Sequence, residues 1–207
     1  QRTEDLRGKK VGVGRFGSNT HYFVIQALKR LGMDASRDIQ AIQTGGGPET
    51  LAALVGGSVD AGALVAPGDA GAVARGFRYV INGPEMRIPY GATVLVTLRS
   101  VIAKRGPVIG RFMRVIAEAS KILHTDRNFV YKVLGKYMRI TDTKILDSAY
   151  QSEIPALERR LEMSEAALQS SLDEIATLDA RAKAIKPQDM MDRRYLIELE
   201  KSGVFDK

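Results

Sequence analysis

Short apolar runs that each end in a glycine-rich turn and then give way to a helical pattern constrain this chain more than any other feature. Residues 9–13 (KKVGV) suit a strand and residues 14–17 a tight turn, with Ser18 at the helix-capping position. Val24, Ala27, Leu28 and Leu31 then recur at helical spacing until Gly32 stops the pattern. The unit repeats. Residues 39–43 suit a second strand, and Gly45, Gly46 and Gly47 precede Pro48 at a first-turn position. Leu51, Leu54 and Val55 give the following helix an apolar stripe, and residues 59–65, 67–75 and 77–81 predict strand, helix and strand. Such alternation predicts an α/β lobe on a mostly parallel sheet.

Residues 90–98 (YGATVLVTL) are the most strand-like stretch, and beyond Pro107 the pattern turns almost wholly helical. Val108, Phe112, Val115, Ile116, Ala119, Ile122 and Leu123 are predicted to line the inner face of one helix. Thr125 is predicted to cap the next, with Phe129, Val130, Val133, Leu134 and Tyr137 inward. Amphipathic helices are predicted over 153–178 and 189–201. The shift of character near residues 93–100 divides the chain into an α/β lobe, 1–93, and a helical part, 94–207.

Composition removes whole classes of chemistry. Zero Cys excludes a thiol nucleophile, a disulfide framework and an Fe–S cluster, and two His exclude a His-rich metal site. No apolar run approaches the ~18 residues that a membrane span needs. The opening Gln1-Arg2-Thr3-Glu4-Asp5 lacks the apolar core of a secretion signal. Residues 99–144 carry 11 Lys/Arg against 3 Asp/Glu, within a chain of net charge +7. Arg111, Arg114, Lys121, Lys132, Lys136 and Arg139 are spread through helical apolar patterns, with no zinc-finger, homeodomain or RNP-type motif beside them. That reads as a solvated basic face, and no nucleic-acid partner is expected.

Two glycine-rich turns carry the candidate chemistry. Gly12, Gly14 and Gly17 spell the G-x-G-x-x-G of a dinucleotide site. That reading also needs an acidic residue at the end of the second strand, which instead closes on Gln43-Thr44; Asp34 and Asp38 fall too early. Ser18, Asn19, Thr20 and His21 begin a helix, where backbone N–H groups lack intrahelical acceptors and favour an anion. Plain capping by Ser18 is the competing reading. Gly45, Gly46 and Gly47 would flank the same edge of the sheet, with the loop through Ala66 and Pro67 closing it. No acidic residue is positioned to orient His21 behind Ser18, so a catalytic triad is unsupported. Glu49 and Asp69 have no sequence signature of an acid/base pair, and His124 reads as a surface residue.

Taken together, these segments resemble a family. Asp5-Leu6-Arg7-Gly8-Lys9-Lys10-Val11-Gly12-Val13 resembles the entry to the second lobe of periplasmic binding proteins that serve ABC importers, of the nitrate/sulfonate/taurine and thiamine-precursor type. Gly17-Ser18-Asn19-Thr20-His21 is similar to that family's helix start, and residues 49–61 (ETLAALVGGSVDA) to its following helix and strand. Residues 90–96 resemble the strand that returns to the first lobe, and residues 192–203 the family's tail.

The resemblance implies a type II periplasmic-binding-protein fold, two α/β lobes closing on a small solute and delivering it to a membrane permease. It implies an extracytoplasmic location, no cofactor and no catalysis; the family's pyrimidine-forming relatives use a Cys/His-rich motif that a Cys-free chain lacks. Ser18, Asn19, Thr20 and His21 would hold the anionic head, with Gly45, Gly46, Gly47, Ala66 and Tyr90 completing the site. Two departures accompany it: the first half of lobe one has no counterpart here, and Val65-Ala66-Pro67 stands where an aromatic or acidic residue is usual. Apolar helix faces around Phe112, Val115, Phe129 and Val133 would then need a cover, for which a homodimer is expected. An NAD(P)-dependent enzyme using Gly12, Gly14 and Gly17, or the sensing domain of a regulator, are the alternatives.

Overall fold

A computed structural model describes residues 2–91 and 93–206. The chain divides into two units, residues 1–88 with 134–156, and residues 89–133 with 157–207.

The first unit is built on three parallel strands in the order β2-β1-β3: β1 Lys10–Val13, β2 Gln40–Gln43 and β3 Ala61–Gly62. β1 is central and enclosed, with Val11 and Val13 at 4% and 0% exposure. Helix α1 (Asn19–Arg30) covers it through Val24, Ala27 and Leu28, as the spacing predicts, and joins a core with Met33 and Ile39. Gly32, at φ +74, ends the helix in the left-handed region. A short α2 (Ala35–Asp38) follows; Asp34 caps it and Asp38 pairs with Arg7 at 2.6 Å, so both acids have structural work.

Helix α3 (Gly47–Val55) shows which residue of a pattern faces the sheet. The buried position is Thr50, 1% exposed, while Val55 is half exposed. Thr50 fits because Gly12 and Gly62 are register partners across β1 and β3. A Cβ on them would lie 3.4 Å and 3.0 Å from the Thr50 methyl. Two strand glycines make the hollow that one β-branched residue fills.

The predicted strand 59–65 is shortened to Ala61–Gly62. β1 turns away at Gly14, so beyond the Ala63 N–H to Gly12 C=O bond there is no partner backbone to extend the ladder. Residues 77–81 form no strand. Neither do residues 90–98, of which Ala92 lies outside the described residues. Their side chains suit a pleat, but no neighbouring strand meets them among the described residues, and Val96 is 84% exposed. Helices α4 (Gly68–Val73) and α5 (Gly83–Met86) follow the sheet, and α8 (Thr143–Glu153) returns to pack on α4 through Leu146 and Ala149.

In the second unit α6 (Arg99–Thr125) runs through Pro107 and bends at Arg105, where φ is −131. The proline lacks an N–H and its ring crowds the preceding turn. The inner face differs from the predicted one. Phe112, Val115, Val108 and Ile122 are exposed, and Ala117 and Ser120 are buried instead. Gly106, Gly110, Met113, Ala117 and Ser120 recur at helical spacing, a stripe of mostly small residues against which α11 (Arg194–Lys201) packs. Leu196, Leu199 and Phe205 complete that core.

Asp126 rather than Thr125 caps α7 (Arg127–Met138): its carboxylate accepts from the Phe129 amide at 2.9 Å, while the Thr125 hydroxyl donates back to Lys121. Val130 is the buried residue of α7; Phe129 and Tyr137 are exposed. The stretch predicted as one helix over 153–178 contains a 3₁₀ turn (Ile154–Ala156), a non-helical segment and α9 (Glu165–Ile175). The predicted 189–201 helix divides into α10 (Pro187–Met190) and α11. His124 is not a plain surface residue. Its ring nitrogens lie 2.7 Å and 3.3 Å from the carbonyls of Ser120 and Leu157.

Candidate functional site

Because the three strands are parallel, the segments that follow β1, β2 and β3 all leave one edge of the sheet of the first unit. The first two turns meet there. The Gly45 amide donates to the Gly14 carbonyl at 2.9 Å, and Thr44 is fixed to Val13 by both its amide and its hydroxyl. Gln43, which carried no functional signal in the sequence, reaches back so that its Oε1 accepts from the Phe16 amide at 3.0 Å.

The start of α1 is held by side chains that turn inward to the preceding loop. Ser18 occupies the capping position but its hydroxyl makes no capping bond. Its Oγ accepts from the Arg15 amide at 3.3 Å and shares a 3.0 Å bond with Thr20 Oγ1, which accepts from the Gly14 amide. A Cβ on Gly14 would lie 3.2 Å from that Thr20 oxygen, so glycine permits the approach. Two hydroxyls hold two hydrogens and one is used between them, which leaves one to donate elsewhere. His21 Nδ1 accepts from the Gly17 amide at 3.1 Å, so in the neutral ring the hydrogen resides on Nε2; the ring stands edge-on to Phe16 at 5.2 Å. The Thr20 amide donates to Asn19 Oδ1, while the Asn19 and His21 amides have no acceptor among the described residues. No acidic residue lies in the first turn of α1.

The start of α3 is different. The Gly46 amide donates to Glu49 Oε2 at 3.0 Å, so a carboxylate already occupies that helix end. With the Gly45 amide used by Gly14, the Gly47 and Glu49 amides of this turn have no acceptor among the described residues. Thr50 fastens the turn from below, its hydroxyl donating to the Gly46 carbonyl at 2.8 Å and lying beside Thr44 Oγ1. A helix start without a carboxylate attracts an anion and one already holding a carboxylate repels it. The distinction selects α1.

The third loop is acidic in character. Glu153, the last residue of α8, accepts from the Ala66 amide and lies near Asp69. Asp69 in turn accepts from Tyr79 at 2.9 Å and from the Ala70 amide. Burial and that acceptor push the Tyr79 hydroxyl up to about 12. Burial, and then the charge of Asp69, raise the Glu153 carboxyl above its usual range despite the Ala66 amide. A raised carboxyl contributes stability that is fully present below the ordinary glutamate pKa and lost as pH rises through the raised value. A negative charge at a helix C-terminus acts in the same direction. Glu153→Gln is therefore expected to raise the melting temperature at pH 7, the difference closing below about pH 4, where both side chains are neutral. Thermal melts across that range check it.

Tyr90 belongs to the second unit. Glu49 caps α3 and Asp69 serves Tyr79, so each predicted acid has its own local role. Among the described residues no three His, Asp or Glu side chains gather as a metal site, and no helix is long and apolar enough to cross a membrane. Of the fingerprint glycines, Gly12 lies inside β1 against Thr44, Thr50 and Val59, and β2 ends in Gln43 where the dinucleotide pattern needs an acid for the ribose.

Residues 1–133 match the NMT1-like family, well over half of the chain. The chain belongs to the NMT1-like family. Solved structures similar to this family member share its fold. The periplasmic aliphatic sulphonate-binding protein SsuA of Escherichia coli is 21% identical, covering 87% of this chain and 57% of that one, with a TM-score of 0.64. A protein of Bordetella bronchiseptica RB50 is 19% identical, covering 98% and 67%, with a TM-score of 0.76. The alkanesulfonate-binding SsuA of Xanthomonas axonopodis pv. citri, solved with MOPS, is 20% identical over 96% and 64%, at 0.71. This chain thus spans between 57% and 67% of the length of those proteins. No curated protein matches its sequence. The α/β class with a parallel sheet is the one the alternating pattern predicts.

Proposed function

We propose that this NMT1-like chain is the solute-binding component of an ABC importer, working outside the cytoplasmic membrane and passing a small anionic or polar solute to a membrane permease. The observation that carries the reading is the start of α1: the open Asn19 and His21 amides, one spare hydroxyl hydrogen from Ser18 or Thr20, and His21 Nε2–H, with no carboxylate in the turn. Several neutral donors suit a sulfonate- or nitrate-like head, because each hydrogen bond to a charged acceptor is worth about 1.5–3 kcal/mol. The neighbouring sulfonate-binding proteins support the solute class. Gly45, Gly46 and Gly47 would bound the pocket beside this end, with Gly47 as an open donor, and Ala66 would complete its first-unit side.

Calorimetric titration with ethanesulfonate, nitrate and NAD tests the reading. One-site binding of either small anion is the expected result. Binding of NAD at micromolar levels, with neither anion bound, would transfer the site to a dinucleotide enzyme.

A homodimer is part of the same proposal, since Phe112, Val115 and Phe129 are 51%, 59% and 49% exposed in the single chain. Light scattering should give about twice 22.6 kDa. A monomer across the accessible concentration range rejects it.

A further inference from the structure

We infer that the second unit carries a separate site for a phosphate-class oxyanion, in the groove between α6 and α11. The groove is open to solvent, has a volume of about 480 Å³, and has Arg111, Arg114, Arg194, Tyr195 and Glu198 in its lining. That volume suits a small ligand. Arg111 and Arg114 are one helical turn apart on α6, so both guanidinium groups arise from the same side of the groove. Neither has a hydrogen bond or ion pair among the described residues, although other arginines of this unit pair with Asp or Glu: Arg160 with Asp206, Arg181 with Asp179 and Arg193 with Glu162.

Two further features make the groove a built one. Arg194 is held by Asp192 at 2.9 Å, so this third guanidinium is oriented and only partly neutralised. Tyr195 is seated against Gly106 and Gly110 of α6. A Cβ at Gly106 would meet its hydroxyl at 3.3 Å, and one at Gly110 its ring at 3.6 Å. The phenol therefore forms the wall between the two helices, with a hydroxyl that can donate. Glu198 is the one acid of the lining and Asp192 already holds Arg194, so Arg111 and Arg114 are the two guanidinium groups left without an acid partner among the described residues. A tetrahedral phosphate-class ion carries several oxygens and can engage both guanidinium forks together.

The same chemistry is offered by free phosphate or pyrophosphate and by the headgroup of an anionic lipid. The probes are pyrophosphate in solution, followed by calorimetry, and sedimentation with vesicles of phosphatidic acid in phosphatidylcholine against phosphatidylcholine alone. One-to-one, salt-sensitive pyrophosphate binding identifies a soluble ligand. Binding confined to phosphatidic acid vesicles identifies a headgroup. In either case Arg111→Gln with Arg114→Gln should weaken binding about tenfold or more, two charge-assisted bonds being lost. Lys9→Gln with Lys29→Gln, an equal loss of charge in the first unit, should leave it within about twofold. Both pairs of positions are exposed, so all variants should retain the parent's melting temperature. The inference is overturned if neither probe binds, or if the lysine pair weakens binding as much as the arginine pair. Asn19→Asp leaves this site unchanged, so its outcome is separate from that of the solute site on α1.

Discussion

Asn19→Asp is expected to lower affinity for an alkanesulfonate by about five- to seventyfold while raising the melting temperature. At about 4 Å, like charges repel by roughly 1 kcal/mol in water and about 4 kcal/mol at a partly shielded surface. Asn19 is exposed, which places the effect in the lower half of that range. The fold gains from the same change. The first turn of α1 has no acidic residue, and a carboxylate there contributes about 0.3–1 kcal/mol through the helix dipole. It can also keep accepting from the Thr20 amide, as Asn19 Oδ1 does. The opposite signs separate a binding role from a structural one. If affinity holds while stability rises, the start of α1 contacts no anion.

Leu28→Ala is expected to cost about 2–5 kcal/mol, the range for emptying a well-packed leucine site. Leu28 is 1% exposed and meets the core formed by Val11, Val13, Val24, Met33 and Ile39. These neighbours come from β1, from α1 itself and from both ends of the α2 connection, so the cavity has walls on separate elements that cannot all relax inward. At roughly 2–4 °C per kcal/mol for a chain of this size, the melting temperature should fall by about 5–15 °C. Val96→Ala is the contrast: at 84% exposure it should shift stability by less than about 0.5 kcal/mol. Denaturant or thermal melts of both variants suffice. Similar losses in the two would mean that α1 is not seated on the sheet through Leu28.

The parts of the fold that could be read from the residues are those in which pattern and partner lie close in sequence. β1, β2 and α1 follow from alternation, glycine turns and the Val24–Ala27–Leu28 spacing, and each finds its packing surface within the first forty-odd residues. Residues 90–98 have as good a strand pattern. A strand, however, is defined by a neighbour with which to exchange hydrogen bonds, and the side chains do not say whether one is present. α6 reversed the usual inference. Its bulky apolar residues mark one face, yet the helix packs by the other, where Gly106, Gly110 and Ala117 allow close approach. Of the candidate site, the helix start at Ser18 and the two glycine turns were legible because strand-to-helix turns are local. Three features were not: the reach of Gln43 to Phe16, the approach of Glu153 to Ala66, and the unneutralised pair Arg111 and Arg114. Each depends on contacts distant in sequence or on the absence of one.

The hollow formed by Gly12 and Gly62 has a consequence for how the turn above it can be moved. Thr50 sits in that hollow by its methyl group and holds the Gly46 carbonyl by its hydroxyl. The second turn is thus suspended from a residue whose height is set by two hydrogen atoms in place of side chains. Adding one carbon at position 62 would push against a methyl 3.0 Å away, and the displacement would pass up α3 to the turn at its head. Glycines inside the strands are therefore a fine adjustment of the turn at the head of α3. A lineage could in this way alter the solute site proposed at the head of the sheet without exchanging any of that site's own side chains.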